Sequence, residues 1–198
     1  MDKKYSRQYF NEKASSWDQT PRSNASQQLE ALIERLDILP NTLVLDVGSG
    51  TGVFVPYIQR KVGKNGRVVC VDFAFNMHSI ARSKDGFGTF AYVCAEIETV
   101  GFPFDTFDSI VCYSTFPHFH DKPLALRNIF SLLKPDANLY ICHSASRDFI
   151  NNIHLHIIDF YDHLIPVQDE MFVLMREAGF KDIKIEEDAD SYLARGRK

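Results

Sequence analysis

The residues whose spacing carries the most chemistry lie in Val44-Leu-Asp-Val-Gly-Ser-Gly-Thr-Gly52, where three glycines alternate behind an acid. An apolar run leads into them and a helical pattern follows, so the loop caps a strand. Glycines there let the backbone turn tightly and approach a ligand. A dinucleotide fingerprint needs G-x-G-x-x-G, and Val53 stands where its third glycine would be. No Lys-Ser or Lys-Thr pair follows, which excludes a phosphate-cradling P-loop. Asp46 would repel a pyrophosphate at this loop and favours a ligand bearing positive charge. Asp72 closes the next apolar run, VVCVD, and is placed to accept hydrogen bonds from two ribose hydroxyls. The plainer roles are a turn-stabilising acid for Asp46 and a helix N-cap for Asp72.

A second group of reactive side chains follows the later strands. Tyr113-Ser-Thr-Phe-Pro-His-Phe-His120 lies beyond the fourth apolar run, and His143-Ser-Ala-Ser-Arg147 beyond the fifth. On a helix, Arg147, Asn151 and His154 are spaced i, i+4, i+7 and share a stripe, next to an apolar one of Ile150, Ile153 and Ile157. Asn152, His156 and Asp159 form a rival, solvated stripe. His118, His143 and His154 are candidate bases for a proton on an acceptor, with Arg147 suited to a carboxylate or phosphate. The same three histidines allow a metal site, although no zinc-like spacing enforces one. Each is equally readable as a hydrogen-bonded core residue.

Strands must place these groups at one sheet edge. Near-continuous apolar runs at Leu43–Val47, Arg67–Val71, Thr89–Val93, Phe107–Tyr113 and Asn138–His143 read as strands covered on both faces. Helical patterns alternate with them at Thr51–Val62, Asn76–Ser83, Pro123–Leu133 and from Ser146 to about His163. The order is that of an α/β doubly wound fold with right-handed crossovers. Residues 1–39 read as two helices, the second presenting Leu29, Leu32, Ile33 and Leu36 before Pro40. The tail reads as helix Asp169–Ala178, a Gly179 stop, and strands Lys181–Glu186 and Ser191–Arg195, an antiparallel hairpin at a sheet edge. The four cysteines form no C-x-x-C pair and read as buried, reduced hydrophobes in strands.

With 198 residues, one domain is expected. The net charge of −4 offers no broad basic face for nucleic acid. No apolar run approaches a membrane span, and MDKKYSRQYFNEK lacks a signal-peptide core, so a cytoplasmic protein is expected.

VLDVGSGTG followed by VVCVDFAFNM resembles the class I S-adenosylmethionine-dependent methyltransferases, particularly the small enzymes called methyltransferase types 11 and 25. The cofactor's ammonium and sulfonium charges, and its lack of phosphate, agree with the acid at Asp46. The resemblance covers about residues 40–198 and implies a Rossmann-like, seven-stranded, mostly parallel sheet with a C-terminal antiparallel hairpin. It implies S-adenosylmethionine as cofactor, S-adenosylhomocysteine as product, and methyl transfer to a small-molecule acceptor. The cofactor-binding set it implies is Asp46, Gly48, Ser49, Gly50, Gly52 and Asp72, with Phe73 and Met77 beside the adenosine, Ala95 and Glu96 at the adenine, and Tyr113 after strand four. Cys94 replaces an expected acid, so either Glu96 takes the adenine amino group or only backbone amides read that edge, and Asp136-Ala137 replace an expected Gly-Gly. The segment with Tyr9, Phe10, Trp17 and Asp18 resembles a lid, and residues 143–166 are expected on the acceptor side. The competing expectations are a non-enzymatic sensor or metal-handling protein that keeps the pocket, and an NAD(P)-dependent oxidoreductase.

Overall fold

The computed structural model describes residues 3–19, 25–84, 90–157 and 160–198. Seven strands form one sheet in the order β3-β2-β1-β4-β5-β7-β6. They are β1 (Leu43–Val47), β2 (Arg67–Asp72), β3 (Ala91–Cys94), β4 (Phe107–Tyr113), β5 (Leu133–His143), β6 (Lys181–Glu187) and β7 (Tyr192–Arg197). Strands β1 to β5 pair in parallel, and β7 is antiparallel to both β5 and β6. The helices are α1 (Lys3–Lys13), α2 (Ala25–Glu34), α3 (Val55–Val62), α4 (Phe75–Ser83), α5 (Lys122–Leu132), α6 (Arg147–Leu155) and α7 (Gln168–Glu177).

Alternation along the strands explains their unbroken apolarity. Leu45, Ile110, Leu139 and Ile141 turn to one face, in one apolar cluster with Ala125, Leu126 and Ile129 of α5 and Met171 and Met175 of α7. Val44, Val68, Val111 and Tyr140 turn to the other, clustered with Ile58 of α3 and the expected stripe of Leu29, Leu32, Ile33 and Leu36. The expected doubly wound sheet and its hairpin are therefore present.

Several boundaries differ for local reasons. Helix α3 begins at Val55 rather than Thr51, because Gly50 and Gly52 take φ of 54° and 78° and Pro56 occupies the first turn. Strand β5 begins directly after α5: Leu133 sits opposite Phe107 and Asn138 opposite Ser109, so residues 134–137 bulge within the strand. Asp136 there has φ 63°, the conformation that an expected glycine would supply. Helix α6 stops at Leu155 instead of about His163, as the Asn151 side chain ties to both backbone groups of Ile165 and holds the returning chain against it. Thr89 and Asp159 lie outside the described residues. Cys70, Cys112 and Cys142 are buried, but Cys94 is exposed, which corrects its reading as a core thiol; it ends β3, next to a loop rather than under a helix.

Gly179 closes α7 at φ 109°, and a Cβ there would come within 2.9 Å of the Phe130 ring. Gly179→Ala is expected to cost about 1–3 kcal/mol, measured by urea denaturation, because strain and clash add.

Candidate active site

The glycine loop grows out of the β1–β2 pairing. Gly48 and Ser49 both donate to the Val71 carbonyl, at 2.7 and 3.1 Å, and Gly52 closes a turn on Ser49. Gly48 takes φ 64°, and a Cβ on it would fall 1.9 Å from Thr115 Oγ1, so the loop and the segment after β4 meet only if this residue has no side chain. Asp72, at the end of β2, accepts from Gly50 N and Ala74 N, both at 2.8 Å. One carboxylate thus holds the loop and the turn that leads into α4, but it is not the N-cap: Ala74 occupies that position and no side chain caps the helix. Each oxygen keeps lone-pair capacity for a ligand hydroxyl.

Beyond the C-terminal ends of β1 to β4 lies a cavity of about 550 Å³, its open mouth included. Gly48, Asp72, Phe73, Ala95, Glu96 and His118 of the expected set line it, together with Thr115, Glu98, Phe119 and His163. Its charged lining is acidic; none of the described lining residues is Lys or Arg. Glu98 is buried and accepts from the backbone of His120 at 2.8 Å and Asp121 at 3.3 Å, which anchors the loop that carries His118.

The segment 3–19, helix α1 and the turn after it, covers this cavity. Ser6 lines it, and Arg7 reaches across to Glu96 at 2.8 Å. Asp18 accepts from Thr51 Oγ1 at 2.7 Å and pairs with Lys84 at 2.9 Å, so the cover is tied to the glycine loop. Phe10 packs on Phe73, His118 and Phe160, with ring centroids 5.0–5.7 Å apart.

Asp46 is buried at the end of β1, and no described group bonds to its Oδ2. Burial first, and the nearby Asp72 second, push its carboxyl up to about 8. Asp72 itself is pushed up to about 6 by burial, against the pull of its two backbone donors. Two buried acids and an unmatched acceptor oxygen suit a ligand that brings positive charge and hydroxyl donors.

Asp46, Gly50 and the remaining expected residues are not among those that line the cavity. Ser49 turns its hydroxyl to His78 Nε2 at 3.3 Å, Met77 packs in the cluster under Phe10, and Gly52 packs on Ala81. Tyr113 stacks on Phe54 and bonds Ser144 at 2.8 Å. The acceptor candidates do other work: Arg147 pairs with Glu187 and Asp148, Asn151 holds the Ile165 backbone, and His143, at the end of β5, is buried against Tyr192. A helical stripe shows only that side chains share a direction, and α6 spends that direction on its own support. His118 and His154 do meet, with ring centroids 4.9 Å apart. His163, which no periodic signal marked, joins them by chain return, its Nδ1 lying 3.0 Å from that of His118. Among the described residues, no group of three or more His, Cys, Asp or Glu is arranged to hold a metal ion.

Comparison with known proteins bears on the family and the fold. A methyltransferase-domain family model matches residues 45–141, and one for protein-L-isoaspartate(D-aspartate) O-methyltransferase matches residues 1–85. The chain is 32% identical over 158 residues to the ubiquinone/menaquinone biosynthesis C-methyltransferase UbiE of Vibrio campbellii, covering 77% of this chain and 55% of that protein. It is 37% identical over 113 residues to the UbiE of Proteus mirabilis, covering 55% and 45%. The chain thus matches only about half the length of these curated relatives. The crystal structure of a SAM dependent methyltransferase from Aquifex aeolicus superposes with a TM-score of 0.75 at 20% identity, over 93% of this chain and 97% of that one. A putative S-adenosylmethionine-dependent methyltransferase from Methanococcus maripaludis gives 0.74 at 17% identity, over 95% and 93%. The sheet order and its reversed hairpin define the class I methyltransferase fold. These findings place the chain among the S-adenosylmethionine-dependent methyltransferases of that class, with S-adenosylmethionine as the cofactor.

Proposed function

We propose that the protein transfers a methyl group from S-adenosylmethionine to a small, uncharged acceptor in the cytoplasm. The observation that carries this reading is the pairing of an unmatched Asp46 carboxylate oxygen with a backbone-anchored Asp72 at one glycine loop. When bound, the cofactor supplies a methyl group already activated on a sulfonium. Gly48 and Gly50 present backbone to it, Asp72 accepts from its ribose, Asp46 balances its positive charge, and Ala95 and Glu96 lie toward its base. The covering α1 excludes water, and Phe119 and the histidine group face the acceptor. Alignment of the two reactants can contribute about 7–11 kcal/mol, with a neutral histidine taking a proton where one is released.

With no Lys or Arg in the described lining and Arg147 held by Glu187 and Asp148, an acceptor with a carboxylate or phosphate is disfavoured. The chain's charge of −4 likewise disfavours a nucleic-acid acceptor. The test is turnover of methyl-labelled cofactor against a panel of neutral hydroxyl, amine, thiol and ring-carbon acceptors, with RNA and DNA samples run alongside. Label is expected to appear in at least one neutral product and in none of the nucleic-acid samples. Label that never leaves the cofactor would favour a binding protein instead.

A further inference from the structure

The histidines beside the cavity form a connected line with a direction. His118 Nδ1 lies 3.0 Å from His163 Nδ1. His163 Nε2 lies 3.8 Å from an Asp162 carboxylate oxygen, and the Asp162 side chain is 43% exposed. His154 Nδ1 is 2.5 Å from the His163 carbonyl oxygen. A carbonyl only accepts, so His154 carries its proton on Nδ1 and braces the backbone of His163. Between the facing Nδ1 atoms of His118 and His163, one must donate. The carboxylate beside Nε2 of His163 favours a proton on that nitrogen, leaving its Nδ1 to accept. His118 then donates from Nδ1, and its Nε2 keeps the lone pair.

We propose that His118, His163 and Asp162 form a proton exit leading from the acceptor to solvent, with His154 as a positioning residue, and that the acceptor is an uncharged molecule whose reacting group loses a proton as it is methylated. This deepens the methyl-transfer reading and rests on it. The acceptor's X–H bond breaks, its electron pair forms the X–CH3 bond, and the C–S pair stays on sulfur. The proton goes to His118 Nε2. The Nδ1 proton of His118 passes to His163 Nδ1, and the Nε2 proton of His163 passes to solvent water beside the Asp162 carboxylate, 3.8 Å away. Neither histidine needs to store charge. That matters here, because burial pushes His118 well below its ordinary value and brings His163 down to about 4. His154, His143 and Lys122 press on His118 in the same sense, with the Lys122 ammonium held by the Pro117 and Phe119 carbonyls. Asp162 acts the opposite way on His163, so the favourable place for a positive charge lies at the outer end.

Long-range 1H–15N correlation of the imidazoles in the 15N-labelled full chain, with and without S-adenosylhomocysteine, tests this. The expected tautomers are Nδ1–H for His118 and His154 and Nε2–H for His163. In Asp162→Asn, His163 should lose its Nε2–H preference and His118 should shift toward Nε2–H. His118 found as Nε2–H in the wild type, or tautomers indifferent to Asp162→Asn, would overturn the proposal. The Gly48 and Gly50 amide shifts report S-adenosylhomocysteine separately: their movement supports the cofactor reading, and their indifference would overturn that reading whatever the tautomers show.

Discussion

Asp72→Ala is expected to weaken S-adenosylhomocysteine binding by about 10- to 100-fold, the loss of one charged hydrogen-bonding partner. The carboxylate does two things that the substitution removes together. It accepts from Gly50 and Ala74, so their buried N–H groups lose a partner and the glycine loop loosens. Its remaining lone pairs are the acceptors offered to a ribose. Asp72→Asn separates the two roles, because its single carbonyl oxygen can satisfy only one backbone donor well while the side chain keeps its volume. Calorimetry should therefore rank affinity as wild type, then Asn, then Ala. Urea denaturation should show a loss of about 1–3 kcal/mol for Ala from the unmatched donors. Equal affinity in all three proteins would remove Asp72 from the site.

The second large effect belongs to Asp46. Its carboxyl is raised from the usual carboxylate range to about 8, chiefly by burial. For a carboxyl whose folded value lies above its unfolded one, the stability it contributes is complete below about pH 4 and is lost as pH climbs through about 8. Asp46→Asn should therefore stabilise the cofactor-free protein by more than about 1 kcal/mol at about pH 9 and change it little near pH 4, as read by thermal denaturation. Binding should move the other way. A cationic ligand favours the ionised acid, so wild-type affinity should rise between about pH 6 and about pH 8, by up to tenfold per unit, with proton release. Asp46→Asn should flatten that rise and bind more weakly at the alkaline end. A variant that loses stability at high pH, or a wild-type affinity that falls with pH, would show that Asp46 does not meet positive charge.

The fold was legible because its determinants are local and periodic. Unbroken apolar runs such as SIVCY, a glycine loop after VLDV, and Gly179 before two short strands each impose one structure over a few residues. What went unread depends on chain return. The bulge at 134–137 arises from how β5 registers on β4, and the end of α6 is set by Asn151 gripping Ile165 across 14 residues. The placement of Asp46, Gly48 and Asp72 at strand ends was legible for the first reason, since each closes or follows an apolar run. The acceptor half was legible only in part. Arg147 and Asn151 keep their predicted stripe yet support the scaffold. His163 enters the site because the chain after α6 doubles back, and Glu98 because a loop needs anchoring. No spacing in the sequence encodes either event.

On the proposed function, the glycine loop takes a cationic nucleoside and not a dinucleotide. The most direct test of this is isothermal titration of the full chain with S-adenosylhomocysteine, S-adenosylmethionine and NAD in turn, near pH 8. Saturable one-to-one binding of both adenosyl ligands, with no heat from NAD beyond dilution, is the predicted result. Saturable binding of NAD with no response to either adenosyl compound would contradict it.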